Sequence, residues 1–126
     1  MEHDTRLAAV ERKVASGDDG DRLRIGLSNL PDEETALRVA RSLVQEGLAA
    51  CVNVLPPCRS VYRWQGKVEE TTEWPLLVKT TSARWIALVE RLRALHPYEV
   101  PEIVELSVGE VDAAYGRWAA DTTRTV

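Results

Sequence analysis

At 126 residues the chain is long enough for one domain with a single core. Its 44% hydrophobic and 29% charged residues are ordinary for a globular protein, and a net charge of -4 without a basic stripe argues against a nucleic-acid partner. No apolar run approaches the roughly 18 residues needed to cross a bilayer, so no membrane insertion is expected. The opening Met1-Glu2-His3-Asp4 is polar and acidic, unlike a signal peptide, and a cytoplasmic address follows.

Residues 1–21 stand apart as an expected flexible extension, ahead of a domain over 22–126. Leu7, Val10 and Val14 trace a short helical pattern, which Ser16-Gly17-Asp18-Asp19-Gly20-Asp21 then breaks. Leu23, Ile25 and Leu27 alternate with Arg24, Gly26 and Ser28, the period of a half-buried strand. Asp32 is placed to cap a helix whose apolar side is Ala36, Val39, Ala40, Leu43 and Val44, with Gly47 as its stop.

A second strand is expected over Leu48 to Leu55; Pro56-Pro57 interrupts it, and Arg59 to Trp64 resumes it. Gln65-Gly66-Lys67 turns the chain into a long third strand, Val68 to Thr80. Pro75 cannot donate a ladder hydrogen bond, so an edge position or a bulge is expected there. Ser82 is a candidate cap for a second helix striped by Trp85, Leu88, Val89, Leu92 and Leu95 and ended by Pro97. Glu102 to Val108 reads as a fourth strand. A last helix carries Val111, Ala114, Tyr115 and Trp118 on one side.

The order is βαββαβ with a C-terminal helix, the α+β ferredoxin-like pattern of one antiparallel sheet with both main helices on one face. Strands two and three outrun such a sheet as a two-stranded ribbon, which is marginal alone. The ribbon bears Tyr62, Trp64 and Trp74, and asks for a partner subunit. The aromatic set of four Trp, three Tyr and no Phe suits such an interface, because every ring carries a polar handle.

Several stretches together resemble the CutA family of divalent-cation-tolerance proteins. They are Leu30-Pro31-Asp32-Glu33-Glu34, Gly47-Leu48-Ala49-Ala50-Cys51-Val52-Asn53, Ser60-Val61-Tyr62-Arg63-Trp64-Gln65-Gly66-Lys67, Leu76-Leu77-Val78-Lys79-Thr80-Thr81 and His96-Pro97-Tyr98-Glu99-Val100-Pro101-Glu102-Ile103. The resemblance runs from about Arg22 to Ala120. It implies a homotrimer whose ribbons pair between neighbours. It also implies a link to tolerance of copper or another divalent cation, with no catalysed reaction. The architecture is similar to that of PII signalling proteins, which bind small effectors between subunits. Where some relatives place copper-binding residues late in strand one and just before the His-Pro-Tyr motif, this chain has Ser28 and Leu95.

The residues open to chemistry each have two readings. Cys51, in an apolar strand, is a small inert residue or a soft metal ligand. Cys58, after two prolines, is an incidental loop residue or a reactive thiol. An extended path between the two spans about 23 Å, so both are read as free thiols in a reducing compartment. His96 is a dipole-favoured cation at a helix end, or a metal ligand with Glu102 nearby. The candidate metal set is therefore His96, Cys51 and Glu102. Lys67, Lys79 and Tyr98 are candidates for an anionic effector's cleft. Tyr62, Trp64 and Trp74 are candidates for the trimer interface. No phosphate loop, His-Glu-x-x-His or Cys-x-x-Cys is present, so no enzyme is expected; an acid–base pair of His96 and Glu102 is the weakest of the three functions weighed.

Overall fold

The structure is a computed structural model and describes residues 19–124. Its elements are β1 (Leu23–Leu30), α1 (Glu33–Gln45), β2 (Cys51–Val54), β3 (Cys58–Trp64), β4 (Lys67–Thr81), α2 (Ser82–Leu95), β5 (Val104–Leu106) and α3 (Ala113–Thr123). With β2 and β3 as the two halves of one interrupted strand, this is the expected ferredoxin-like order with a C-terminal helix. Residues 1–18 of the expected extension lie outside the described residues. Its last three form a 3-10 turn, Asp19–Asp21, where Asp21 accepts a bond of 3.2 Å from Arg124.

Local chemistry sets the ends of α1. The Asp32 side chain accepts from the Thr35 backbone N–H at 2.7 Å, and this bond holds the Asp32 carboxyl below its ordinary value. At the other end the Leu48 N–H reaches the Leu43 carbonyl and the Gly47 N–H reaches that of Val44, each at 3.0 Å. That pair of bonds is a Schellman closure, and it needs the left-handed φ of +71° at Gly47. Leu43 and Leu48 are both buried, which supplies the apolar contact that accompanies the motif.

The sheet runs β2-β4-β1-β5, all antiparallel, and β3 pairs the first half of β4 as a ribbon. A two-residue turn at Gln65 and Gly66, both with positive φ, closes the ribbon. Of the edge or bulge expected at Pro75, the edge is corrected, since β4 is central, while the bulge is found on the partner strand, where residues 55–57 face only Trp74 and Pro75. Pro75 falls where the partner strand is broken, between the Val54↔Leu76 and Cys58↔Glu73 pairs. Its carbonyl accepts from the Leu55 N–H at 2.9 Å, so its missing N–H points at that gap and costs the ladder little.

The face of β1 is also corrected. Gly26, Ser28 and Leu30 lie beneath the helices, while Ile25 and Leu27 face the other way. Gly26 is small for a reason: a Cβ there would sit 3.4 Å from the Trp85 ring. Leu30, Leu76 and Val78 meet Val39 and Leu43 of α1 and Leu88 and Leu92 of α2 in the main core. Burying each such side chain is worth about 1.5–3 kcal/mol. The helix-free face keeps Ile25, Leu27, Leu77, Val104 and Leu106 together by register. Its Leu23 end is covered by Ala119 and Tyr115 of α3.

Three smaller expectations change. Ser82 is not the cap of α2: Thr81 holds that position without a side-chain bond, and the Ser82 N–H goes to the Arg22 carbonyl at 2.9 Å. β5 is three residues long rather than seven. It is held by a bidentate pair, in which Arg24 donates to Glu105 at 2.7 Å through both Nε and Nη2 while its guanidinium lies 4.8 Å from the Trp85 ring centroid. In α3 the buried positions are Ala119, Ala120 and Thr123, and Trp118 is 46% exposed.

Gly47→Ala should destabilise the fold by about 1 kcal/mol through the left-handed backbone alone. Nothing lies within 4 Å of an added Cβ, so no clash contributes. Urea unfolding of the two proteins measures it, and Gly47→Asn should fall between them.

Candidate functional site

The segment after α2 crosses the end of the helix-free face and meets the root of the ribbon. Between them lies a cleft of about 690 Å³. Asn29 of β1 and Glu73 of β4 form its floor, and Ser60, Tyr62 and Trp64 of β3 form one wall. Residues 97–100 and Glu102 form the other. Strand alternation carries Asn29, Glu73, Tyr62 and Trp64 onto one continuous face, from sheet into ribbon.

His96 anchors the second wall. It is the C-cap of α2, with an extended backbone that suits a residue before proline. Its Nε2–H donates to the Asn29 carbonyl at 2.8 Å, and its Nδ1 accepts from the Tyr98 N–H at 3.2 Å. Both nitrogens are thus occupied by backbone in the neutral tautomer. Burial pushes the imidazole below its ordinary value, against the opposing pull of the Asn29 carbonyl and Glu73. The reading of His96 as a dipole-favoured cation is corrected accordingly.

Tyr98, held between Pro97 and Pro101, returns across the cleft floor. Its hydroxyl donates to Glu73 Oε2 at 2.8 Å, and its ring lies 4.8 Å from that of His96. Burial, and then the Glu73 carboxylate, push the phenol well above its usual range, so it stays a proton donor. Glu102, on the rim, accepts a long 3.4 Å bond from the Asn29 amide.

The structure brings together His96, Tyr98 and Glu102, and with them Tyr62 and Trp64, which are 43% and 45% exposed. It does not bring Cys51 to them: Cys51 is half-buried opposite Lys79, at the level of Ile25 rather than Asn29. Among the described residues no group of three or more His, Cys, Asp or Glu is placed to hold a metal ion. Lys79 donates to Asn53 beside Cys51, and Lys67 stands at the ribbon turn, so neither lines the cleft with Tyr98. Trp74, expected on the partner-facing ribbon, packs against the main core instead. No acid–base pair of His96 and Glu102 is assembled, since Asn29 engages both through different atoms. Sequence reasoning missed Glu73, Glu99, Asn29 and Ser60; a charged residue on a ribbon strand reads as solvated, and only the pairing reveals otherwise.

Residues 25–122 match the family described as CutA1 divalent ion tolerance protein. The chain belongs to that family. It is 50% identical over 97 residues to the divalent-cation tolerance protein CutA of Thermus thermophilus, covering 77% of this chain and 94% of that one. It is 40% identical over 95 residues to the chloroplastic protein CutA of Arabidopsis thaliana, covering 75% of this chain but only about half, 52%, of that protein. Among solved structures, CutA from Xylella fastidiosa superposes with a TM-score of 0.79 at 42% identity, over 81% of this chain and 98% of its own. The CutA resemblance and the ferredoxin-like fold are therefore facts about this chain. No described helix is long and apolar enough to cross a membrane.

Lowering the pH should weaken the fold in a window that begins near 6.5, the ordinary imidazole value. Below it the unfolded chain takes up a proton on His96 that the folded chain resists, so stability falls until the lowered folded-state value is passed. Urea unfolding between pH 7.5 and 5 checks this. His96→Gln should be less stable at pH 7.5 and flatter across the window.

Proposed function

We propose that this CutA1-family protein serves divalent-cation tolerance as a non-catalytic homotrimer, in a cytoplasmic setting, and binds copper or another divalent cation weakly. The observation that carries the assembly is the helix-free face. Ile25, Leu27, Leu77, Val104 and Leu106 stand on it with no layer above them among the described residues, beside a ribbon that exposes Val61, Tyr62, Trp64 and Val68. Apolar surface of that extent, next to aromatic rings, fits a second and third copy better than water. The two unpaired thiols support the reducing compartment.

Weak metal binding follows from the donors. His96 would have to give up two backbone bonds to ligate, and Cys51 lies apart from it. Glu102, with its single long bond, is the most available of the three. The alternative, an anionic effector, meets a cleft wall with Glu73, Glu99 and Glu102 and no Lys or Arg among the described residues. That charge is repulsive to an anion, so the cation-tolerance reading is preferred.

Light scattering at micromolar concentration should give three subunit masses, and a single subunit mass would refute the assembly. Trp64→Ala should lower the melting temperature more in dilute than in concentrated samples, since truncating a Trp buried on a neighbour costs about 3–5 kcal/mol. A loss independent of concentration would place the ring on its own hairpin. Calorimetric copper titration should give weak binding that Glu102→Gln reduces further; tight binding unchanged in Glu102→Gln and in His96→Ala would put the metal elsewhere.

A further inference from the structure

Glu73 is 7% exposed, and the Tyr98 hydroxyl donates to its Oε2 at 2.8 Å. Among the described residues no donor reaches Oε1 and no cationic side chain pairs with the group. Buried carboxylates are ordinarily matched by a positive partner, because desolvation alone is costly. His96 cannot act as that partner while both its nitrogens serve the backbone. The rest of the cleft wall adds Glu99 and Glu102 and neither Lys nor Arg among the described residues. A single subunit therefore buries an anion without supplying its counter-charge.

The matching charge stands at the far end of the same face. The pairs Cys58↔Glu73 and Trp64↔Lys67 bracket the ribbon, and Lys67, Glu69, Thr71 and Glu73 alternate onto one side of it. Lys67 is exposed at the turn, directly opposite Trp64, and has no ion-pair partner among the described residues. Six residues of strand set it about 20 Å from its own Glu73, beyond the reach of a four-carbon stem. Other cations are placed elsewhere. Arg59 and Arg63 occupy the opposite face of the ribbon, where Arg59 pairs with Glu70. Lys79 is held by Asn53, and the arginines of α1 and α2 lie on the helix side of the sheet. The ribbon thus carries a cation without an anion at its tip and an anion without a cation at its root.

We infer that the cleft is a socket for the ribbon tip of a neighbouring subunit, whose Lys67 ammonium pairs with Glu73 Oε1. The inference rests on the homotrimer proposed above and supplies its interlock. A tip of one copy in the cleft of the next is a heterologous contact, the kind that a threefold ring closes. Trp64, opposite Lys67, travels with it onto the neighbour and so gains cover for a ring that is 45% exposed in one subunit. The two-residue turn keeps that tip narrow enough to enter. Tyr98 keeps its proton and fixes the carboxylate, leaving Oε1 for the lysine. The acidic cleft is then filled by the protein itself, and Glu73 specifies which surface of a second copy it accepts.

Dissociation of the full-length protein, followed by light scattering on serial dilution in moderate urea, tests the pair. Lys67→Met should raise the dissociation constant about tenfold or more. Lys67→Arg should restore most of the loss, and Arg63→Glu, on the other face of the ribbon, should leave assembly unchanged. In a Glu73→Gln background Lys67→Met should add nothing further. Chains carrying Lys67→Glu alone or Glu73→Lys alone should each assemble poorly, and the two should assemble better when mixed. A mixed ring sets the new acid against the new base across subunits, whereas a pair inside one subunit gains nothing from mixing. Should the Glu73 variants fail to fold, trimers of isotope-labelled and unlabelled natural chains decide, through a cross-relaxation signal between the Lys67 methylenes of one chain and the Tyr98 ring of another. Additive losses in the double variant, no gain on mixing, or no such signal would each overturn the pairing. A natural protein of one subunit mass would refute the trimer and the pairing together, while a trimer indifferent to Lys67→Met would refute the pairing alone.

Discussion

The structure depends on one strand. The 15 residues of β4 pair with β1 along one side and with β2 and then β3 along the other, so a single register positions the sheet, the ribbon and the cleft floor. Pro75 is the point on which this turns. Its missing N–H forces no disruption because the opposite strand is itself broken by Leu55-Pro56-Pro57. Above the break β4 is buried between two neighbours, and below it the strand leaves the core as a ribbon. Glu73 lies two residues from Pro75, just where core gives way to cleft. A one-residue slip would turn Glu73 onto the helix side and Trp74 into the cleft.

The element order was legible because helix and strand periods differ and caps carry their own signatures. Asp32 and Gly47 bound α1 as their side-chain and backbone chemistry requires. Which face of β1 turns inward was not legible. Leu23, Ile25 and Leu27 look like the core set, yet Ile25 and Leu27 are only half-buried and Gly26 and Ser28 are buried, since Trp85 of α2 approaches Gly26 closely enough to demand a small residue there. Alternation reports a period without reporting a face when both faces carry apolar groups. Ser28 illustrates the cost: its hydroxyl is fully buried without a partner among the described residues. β5 was overestimated for a related reason, since apolar residues beyond Leu106 serve α3 and not the ladder: Val108 and Val111 pack with Ala119.

At the site, the segment from His96 to Glu102 was legible as a unit because its two prolines and its aromatic, acidic and imidazole groups have few structural uses in combination. What the segment does was less legible. His96 reads as a ligand or a charge, and in the fold it is a neutral splice that ties the start of the cleft wall to β1. Glu73 carried no signal at all, standing among Glu69 and Glu70 on a strand whose other acids are exposed. Only the pairing Cys58↔Glu73 and the return of Tyr98 over it convert a ribbon charge into a buried one.

These placements put the cleft and the uncovered apolar surface on the same side of the sheet. Asn29 ends the row that Ile25 and Leu27 begin, and Glu73 continues the row of Leu77 and Pro75. A subunit seated on that face must therefore run along the mouth of the cleft, and the exposed rings of Tyr62 and Trp64 belong to both surfaces at once. An occupant of the cleft that also touched a second copy on that face would favour assembly, and assembly would raise its affinity by the same factor. The Tyr98–Glu73 bond joins the loop wall to the strand from which both the ribbon and the apolar row extend.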